Sequence, residues 1–178
     1  MILSDKDILE LLNKKELIID PFSSESLQPA GYDLRLDNKI LIYDSEILDT
    51  KNKDSIKYKI VDIDENSGFT LKPFQFVLGS SIEYISLPDN VAAFIQARSS
   101  IARLGIIIHF VAGFIDPGFE GKITFEIINL NNVPVKLYPK MRVAQIIFMK
   151  LPSKCIRSYR QKKDAKYLGQ KLPLPSLI

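Results

Sequence analysis

The chain has one cysteine, Cys155, and one histidine, His109, among its 178 residues. A lone thiol excludes an internal disulfide and suits a reducing compartment. No apolar run is long enough to cross a bilayer, and the N-terminus lacks the charged-then-apolar pattern of a secretory signal. A cytoplasmic protein with no membrane partner is expected. Internal repeats and low-complexity segments are also absent. Charge is scarce in net terms, at +3, and unevenly placed: residues 157–171 hold six basic side chains and one acidic one, leaving the remainder near −2. That basic end is short and carries only Tyr159 and Tyr167 as aromatics, narrower than the footprint a nucleic-acid duplex requires. A segment closing over a small polyanion fits the same charges, so no nucleic-acid partner is expected.

What the chain does have is a high apolar content, 46%, enough for one sizeable core and too little length for a second domain. Ser4, followed by Asp5 and Asp7, reads as a helix N-cap, with Leu3 placed to staple against Ile8 and with Ile8, Leu11 and Leu12 at helical spacing. Beyond it the apolar periodicity is two. Strands are expected at 32–36, 40–43, 58–63, 69–71, 76–78, 82–85, 91–96, 106–111, 123–128, 135–137 and 142–150, separated by turns at Pro73, Gly79, residues 87–90 and Asn131 to Pro134. In the last strand Val143, Gln145, Ile147 and Met149 are expected to share a face. Many short strands with one helix make an all-β barrel or sandwich. Residues 44–68 read as charged surface hairpins and loops. Residues 1–161 form the domain, and residues 162–178 read as an extended, mobile arm. Its apolar Leu174, Leu177 and Ile178 are expected to dock on a neighbouring subunit.

The most informative stretch is 91–130. A strand runs into Arg98, Ser99, Ser100, Ile101, Ala102 and Arg103, where Ser99 or Ser100 can cap a short helical turn that Gly105 ends. Hydroxyls, free backbone N–H groups at the helical start, and two guanidiniums make a site suited to phosphate. The same residues equally describe an ordinary surface turn with solvated arginines. Asp116-Pro117-Gly118 is a turn signal. After it, Ile123, Phe125 and Ile127 alternate with Thr124 and Glu126, which therefore share the opposite face. A carboxylate in so apolar a run needs partners or protonation, so Glu126 is a candidate general acid/base; a strand with one wet face is the plainer reading.

The series Arg98-Ser99-Ser100-x-Ala102-Arg103, then Ala112-Gly113-Phe114-Ile115-Asp116-Pro117-Gly118-Phe119-x-Gly121-x-Ile123-Thr124-x-Glu126, resembles the deoxycytidine triphosphate (dCTP) deaminases of the trimeric dUTPase superfamily. The likeness continues in Met1-Ile2-Leu3-Ser4-Asp5, in Gly31-Tyr32-Asp33-Leu34-Arg35-Leu36, and in Tyr159 with Asp164-Ala165-Lys166-Tyr167-x-Gly169-Gln170. The resemblance implies a distorted, dUTPase-like β-barrel and a homotrimer with shared active sites. It implies that Glu126 shuttles protons, that Ser99 and the Ala112 carbonyl hold the attacking water, and that Arg103 stabilises charge. Arg98, Ser100 and Arg103, with the backbone at Ile101 and Ala102, would surround the triphosphate. Asp116 would hold the deoxyribose 3′-hydroxyl, and Thr124 with the backbone at Phe125 would read the base. Gln145, Tyr159, Lys166 and Gln170 match phosphate contacts, the last three from the closing arm. His109 is left as a neighbour of the site, and each of the other residues also has a plain structural reading: Asp116 shaping its turn, Gln145 facing solvent.

Deamination of cytosine needs a water at C4 and protons for N3 and the leaving ammonia, which one carboxyl with a pKa raised by burial can relay. One cysteine and one histidine do not fit the His/Cys zinc site of other nucleobase deaminases, so no zinc is expected. Mg²⁺ would arrive on the triphosphate. The expected reaction is deamination of dCTP to dUTP and ammonia. A bifunctional reaction continuing to dUMP and pyrophosphate is the alternative, suggested by Gly113-Phe114 where the deamination-only branch more often has His-Arg. A dUTPase acting on dUTP and a non-catalytic nucleotide-binding barrel are the remaining readings, and dTTP is a candidate inhibitor.

Overall fold

The computed structural model describes residues 1–109 and 111–178. Helix α1 (Asp5–Asn13) begins as its cap chemistry requires: the Asp7 N–H donates to Ser4 Oγ at 3.3 Å, and Asp7 Oδ2 accepts from the Ser4 N–H at 3.0 Å. Leu3 and Ile8 are both buried, forming the staple. The Leu3 N–H donates to Phe148 O at 2.9 Å, which ties the helix entry to the last long strand.

The strands follow in order: β1 (Ile18–Asp20), β2 (Leu27–Gln28), β3 (Gly31–Arg35), β4 (Lys39–Tyr43), β5 (Tyr58–Asp62), β6 (Phe69–Leu71), β7 (Phe76–Ser86) and β8 (Val91–Ala97). A single helical turn, α2 (Ser99–Ala102), precedes β9 (Ile106–Ile108), β10 (Phe114–Ile115), β11 (Glu120–Asn129), β12 (Val135–Leu137) and β13 (Arg142–Lys150). One sheet runs β5-β4-β7-β11-β9 with β1 also on β7, a second runs β10-β8-β13-β3-β2, and β12 pairs β6. The two larger sheets share one core that includes Leu34, Ile40, Ile85, Ile95, Phe125, Ile146 and Phe148. They do not close edge to edge, so the all-β fold is a distorted barrel. Among the described residues no helix is long and apolar enough to cross a membrane.

Four local expectations are corrected. Gly79 does not break the chain into two strands: β7 passes through it, because a Cβ there would stand 2.8 Å from Leu36 Cδ1 and 3.1 Å from Ile127 Cδ1. The glycine serves close packing, not a turn. The strand expected at 106–111 stops at Ile108, since His109 has φ 59°, and residue 110 lies outside the described residues. The serines do not cap α2. Arg98 occupies the N-cap without a side-chain bond, so Ser99 and Ser100 fall inside the first turn with exposed side chains. In β13 a register shift between Arg142 and Ala144 puts Val143 fully in the core, away from the face of Gln145, Ile147 and Met149.

Residues 162–178 lie back along the barrel. Gln170 bridges Gly121, the Lys122 N–H donates to Gln170 O at 2.9 Å, and the Ser176 N–H donates to Tyr43 Oη at 3.2 Å. Leu174 lines the cavity beneath this segment, while Leu177 remains 38% exposed.

Gly31 marks the tightest approach between β3 and β13: a Cβ would sit 2.6 Å from the Ile146 carbonyl oxygen. Gly31→Ala is expected to cost about 1–3 kcal/mol by overpacking. Denaturant unfolding that leaves the midpoint unchanged contradicts this close contact.

Candidate active site

Alternation along β11 is regular. Ile123, Phe125 and Ile127 are buried, and Lys122, Thr124, Glu126 and Ile128 between them are half-buried. Pairing with β7 sets Phe125 opposite Gly79 and Glu126 opposite Leu78. Above them the strands fall out of step between Lys122 and Thr124, with the extra residues on β7. Ser81 repairs the ladder: its hydroxyl oxygen accepts from the Ile123 N–H at 2.8 Å and its O–H donates to Glu83 O at 2.6 Å. Glu83, fully buried, accepts from Arg35 Nε at 2.6 Å and from the Arg35 N–H at 3.0 Å, so its carboxylate does not stand alone.

The outward face of β11 forms one wall of a cavity of about 500 Å³. Glu126, Thr124, His109, Ala112 and Asp116 line it together with Tyr159 and Gln170, and Tyr167, Leu174, Pro175 and Ser176 from the arm cover it. Glu126 stands half-buried on this wall, its strand face opening to a cavity whose lining also includes Phe76, Leu78, Phe114 and Ile123. Asp116 Oδ2 accepts from Lys162 Nζ at 2.6 Å. That bond, followed by the charge of Asp116, raises the Lys162 pKa above its ordinary value. Lys162 Nζ also sits 5.5 Å over the Tyr159 ring, and Tyr159 Oη accepts from the Tyr167 N–H at 3.1 Å. No site role was expected for Tyr167, or for Lys162, whose partner Asp116 is distant in the chain.

His109 joins several parts of this wall. Its N–H donates to Glu126 O at 2.8 Å, and its ring Nε2 lies 2.9 Å from Ala112 O. Burial pushes the ring below its ordinary pKa of 6.5, while Glu126 and the backbone at Ala112 and Thr124 pull the other way. The Nδ1 atom and Thr124 Oγ1 are buried and have no hydrogen-bond partner among the described residues.

The serine and arginine corner stands apart from the cavity. Arg98, Ser99, Ser100, Ile101, Ala102, Arg103 and Gln145 are not among its lining residues, and neither is Lys166, which is exposed. Ile101 is buried and anchors the turn, whereas Ser99, Ser100 and Arg103 are exposed. Phe125, expected beside the base, is fully buried with its side chain in the core, so only its backbone remains for that part. Arg98 is held from below: its Nε lies 3.0 Å from Asp33 Oδ2, and Arg142 Nη1 lies 3.4 Å from the same oxygen. Asp33 is only 2% exposed. Burial pushes its carboxyl upward, and the Arg98 and Arg142 charges act against that. Alternation gave Asp33 a polar face, and the signal for its burial was a carboxylate between Tyr32 and Leu34 and three residues before Leu36. Gly113 does not open space at the cavity: it faces β8, where a Cβ would meet Ile95 O at 3.0 Å. Among the described residues no group of three His, Cys, Asp or Glu side chains could hold a metal ion.

His109 provides a pH test. Between its lowered folded pKa and 6.5 the unfolded chain binds a proton that the folded chain refuses, so stability should rise with pH across that window and fall as pH drops into it. NMR titration of the imidazole should give a value under 6.5, and Glu126→Gln should lower it further. A titration at or above 6.5 contradicts this environment.

A family model described as dCTP deaminase-like matches residues 2–151. A protein of Dictyoglomus turgidum called "dCTP deaminase, dUMP-forming" is 46% identical over 100% of this chain and 95% of its own length. One of the same name from Nanoarchaeum equitans is 47% identical over 96% of this chain and 94% of its own. Among solved structures, the 2′-deoxycytidine 5′-triphosphate deaminase of Agrobacterium tumefaciens superposes with a TM-score of 0.66 at 24% identity. The match covers 83% of this chain and 47% of that one, so this chain spans about half of it and the likeness concerns the fold. With its residues matched over most of their length, this chain belongs to the dCTP deaminase-like family.

Proposed function

We propose that the protein converts dCTP to dUMP, releasing ammonia and pyrophosphate with the consumption of two waters. The observation that carries this reading is the near full-length likeness to relatives called "dCTP deaminase, dUMP-forming". It favours the two-step outcome over release of dUTP, the product first expected from the residues. Gly113 lends it no steric support, since that residue packs on β8.

In the first step Glu126 takes a proton from a water aimed at C4 and returns protons to N3 and to the departing ammonia. Glu126, Thr124 and Ala112 line one cavity, which suits this division of labour. Asp116, steadied by Lys162, accepts from the sugar hydroxyl, and Thr124 with the Phe125 backbone reads the base. Acid/base relay supplies roughly 10² to 10⁴ in rate, and fixed positioning supplies much of the rest. The second water attacks the α-phosphorus and displaces pyrophosphate. Mg²⁺ bound to the triphosphate would neutralise charge on the leaving group, held through phosphate oxygens and water.

The triphosphate is assigned to Arg98, Ser99, Ser100 and Arg103, with Gln145, Tyr159, Lys166 and Gln170. Because the corner lies outside the cavity of its own chain, a complete site needs the corner of a second copy, and a homotrimer with shared sites meets that need. Ser99 would thus reach the water from across the interface.

Purified protein incubated with dCTP and Mg²⁺ should yield dUMP, pyrophosphate and ammonia in equal amounts. Accumulating dUTP would reduce the reaction to deamination alone, and unchanged dCTP would refute both. Glu126→Gln should lower deamination at least about 10²-fold while the protein stays folded. Light scattering should read three chain masses.

A further inference from the structure

We infer that Arg160 is a positioning residue for substrate binding, its guanidinium fork fixing the segment that brings Tyr159 and Lys162 to the cavity. The inference rests on the reaction proposed above and adds a residue to it. Tyr159–Gln161 forms a single 3₁₀ turn, in which side chains three apart fall on one side. Tyr159 lines the cavity, and Lys162 meets Asp116 and the Tyr159 ring from that same side. Arg160 lies between them in sequence and is not part of the cavity lining. Its fork grips the barrel instead: Nη2 donates to Leu87 O at 2.7 Å, Nη1 lies 2.9 Å from Glu120 Oε1, and Nε lies 3.7 Å from Asp89 Oδ1.

These acceptors belong to two elements that frame the site. Leu87 and Asp89 sit in the turn between β7 and β8, and Glu120 opens β11, the strand of Thr124 and Glu126. Glu120 holds the following loop at both ends, since its main-chain carbonyl accepts from the Gly169 N–H at 2.7 Å. Residues 160–169, which carry Lys162 and Lys166, are thus closed on one residue of β11. A guanidinium suits this set of acceptors because its donors spread over a rigid plane, whereas an ammonium is a single point of charge. A second tie, from the Tyr159 N–H to Pro117 O at 2.8 Å, holds the first residue of the turn independently of the fork. With the Arg160 side chain 39% exposed and that of Glu120 34% exposed, the ion pair adds little to global stability. What it fixes is the place of the turn, so its loss falls on binding.

Two substitutions and a proteolysis measurement test the tether. Arg160→Gln keeps a polar side chain and loses the fork; its KM for dCTP should rise about five- to tenfold, with kcat within about threefold of wild type and the thermal midpoint unchanged. A KM within about twofold of wild type would overturn the inference, and so would a larger fall in kcat accompanied by a lower midpoint, which marks general disruption. Glu120→Gln, alone and combined with Arg160→Gln, shows whether the two side chains act as one. The double variant should match Arg160→Gln alone, and increases in KM that multiply would contradict the tether. Trypsin reads the same segment without substrate: cleavage after Lys162 or Lys163 should run at least about fivefold faster in folded Arg160→Gln protein than in wild type. Equal rates would overturn the inference. Wild-type protein that leaves dCTP intact refutes the reaction itself, and the tryptic rates still decide whether Arg160 holds the segment.

Discussion

The pairing of β7 with β11 is the constraint from which the rest of the site follows. A strand has a side-chain period of two, so slipping β11 by one residue would exchange every side chain between core and cavity. Phe125 and Ile127 are fully buried, each contributing roughly 1.5–3 kcal/mol by leaving water. A slipped register would expose both and drive the Glu126 carboxylate into the core, where an unpaired charge is very costly. The apolar half of the strand thus holds the polar half in place. Where the two strands fall out of step, the Ser81 hydroxyl takes over a ladder bond and Glu83 engages Arg35, so the irregularity leaves these groups paired.

The remaining polar groups fall into two sets with different supports. The cavity set depends on the turn at Asp116 and on the arm, which Lys162 ties to Asp116 and Gln170 ties to β11. The corner set depends on Asp33, a buried carboxylate that fixes Arg98 and approaches Arg142. Pairing a buried carboxylate with two guanidiniums offsets part of its desolvation and leaves part of each arginine exposed, at 30% for Arg98 and 39% for Arg142. A rigid cationic corner and a separate roofed cavity suit a nucleotide whose base and triphosphate need different environments.

Much of this was legible from the residues. Alternation from Ile123 to Ile127 placed Thr124 and Glu126 on one face, and the cap and staple of α1 stand where Ser4, Leu3 and Ile8 predicted. The errors share a cause: local signals were read without the packing that overrides them. Gly79 looked like a turn because glycine usually frees the backbone, yet here it makes room for Leu36. Ser99 and Ser100 looked like caps, but the helix starts at the arginine before them. Asp33 and Lys162 went unassigned because their partners lie far away in sequence. His109, left as a neighbour of the site, does line the cavity, though nothing in an apolar run announces its positive φ.

The most direct measurement is a crystal structure of the Glu126→Gln protein with dCTP and Mg²⁺ bound. The assigned chemistry requires the cytosine in the cavity beside Thr124, with C4 facing residue 126 and a water between it and the Ala112 carbonyl. The triphosphate should lie on Arg98, Ser99 and Ser100 of a neighbouring copy. A base bound outside that cavity, or residue 126 turned away from C4 with no water between them, would contradict it.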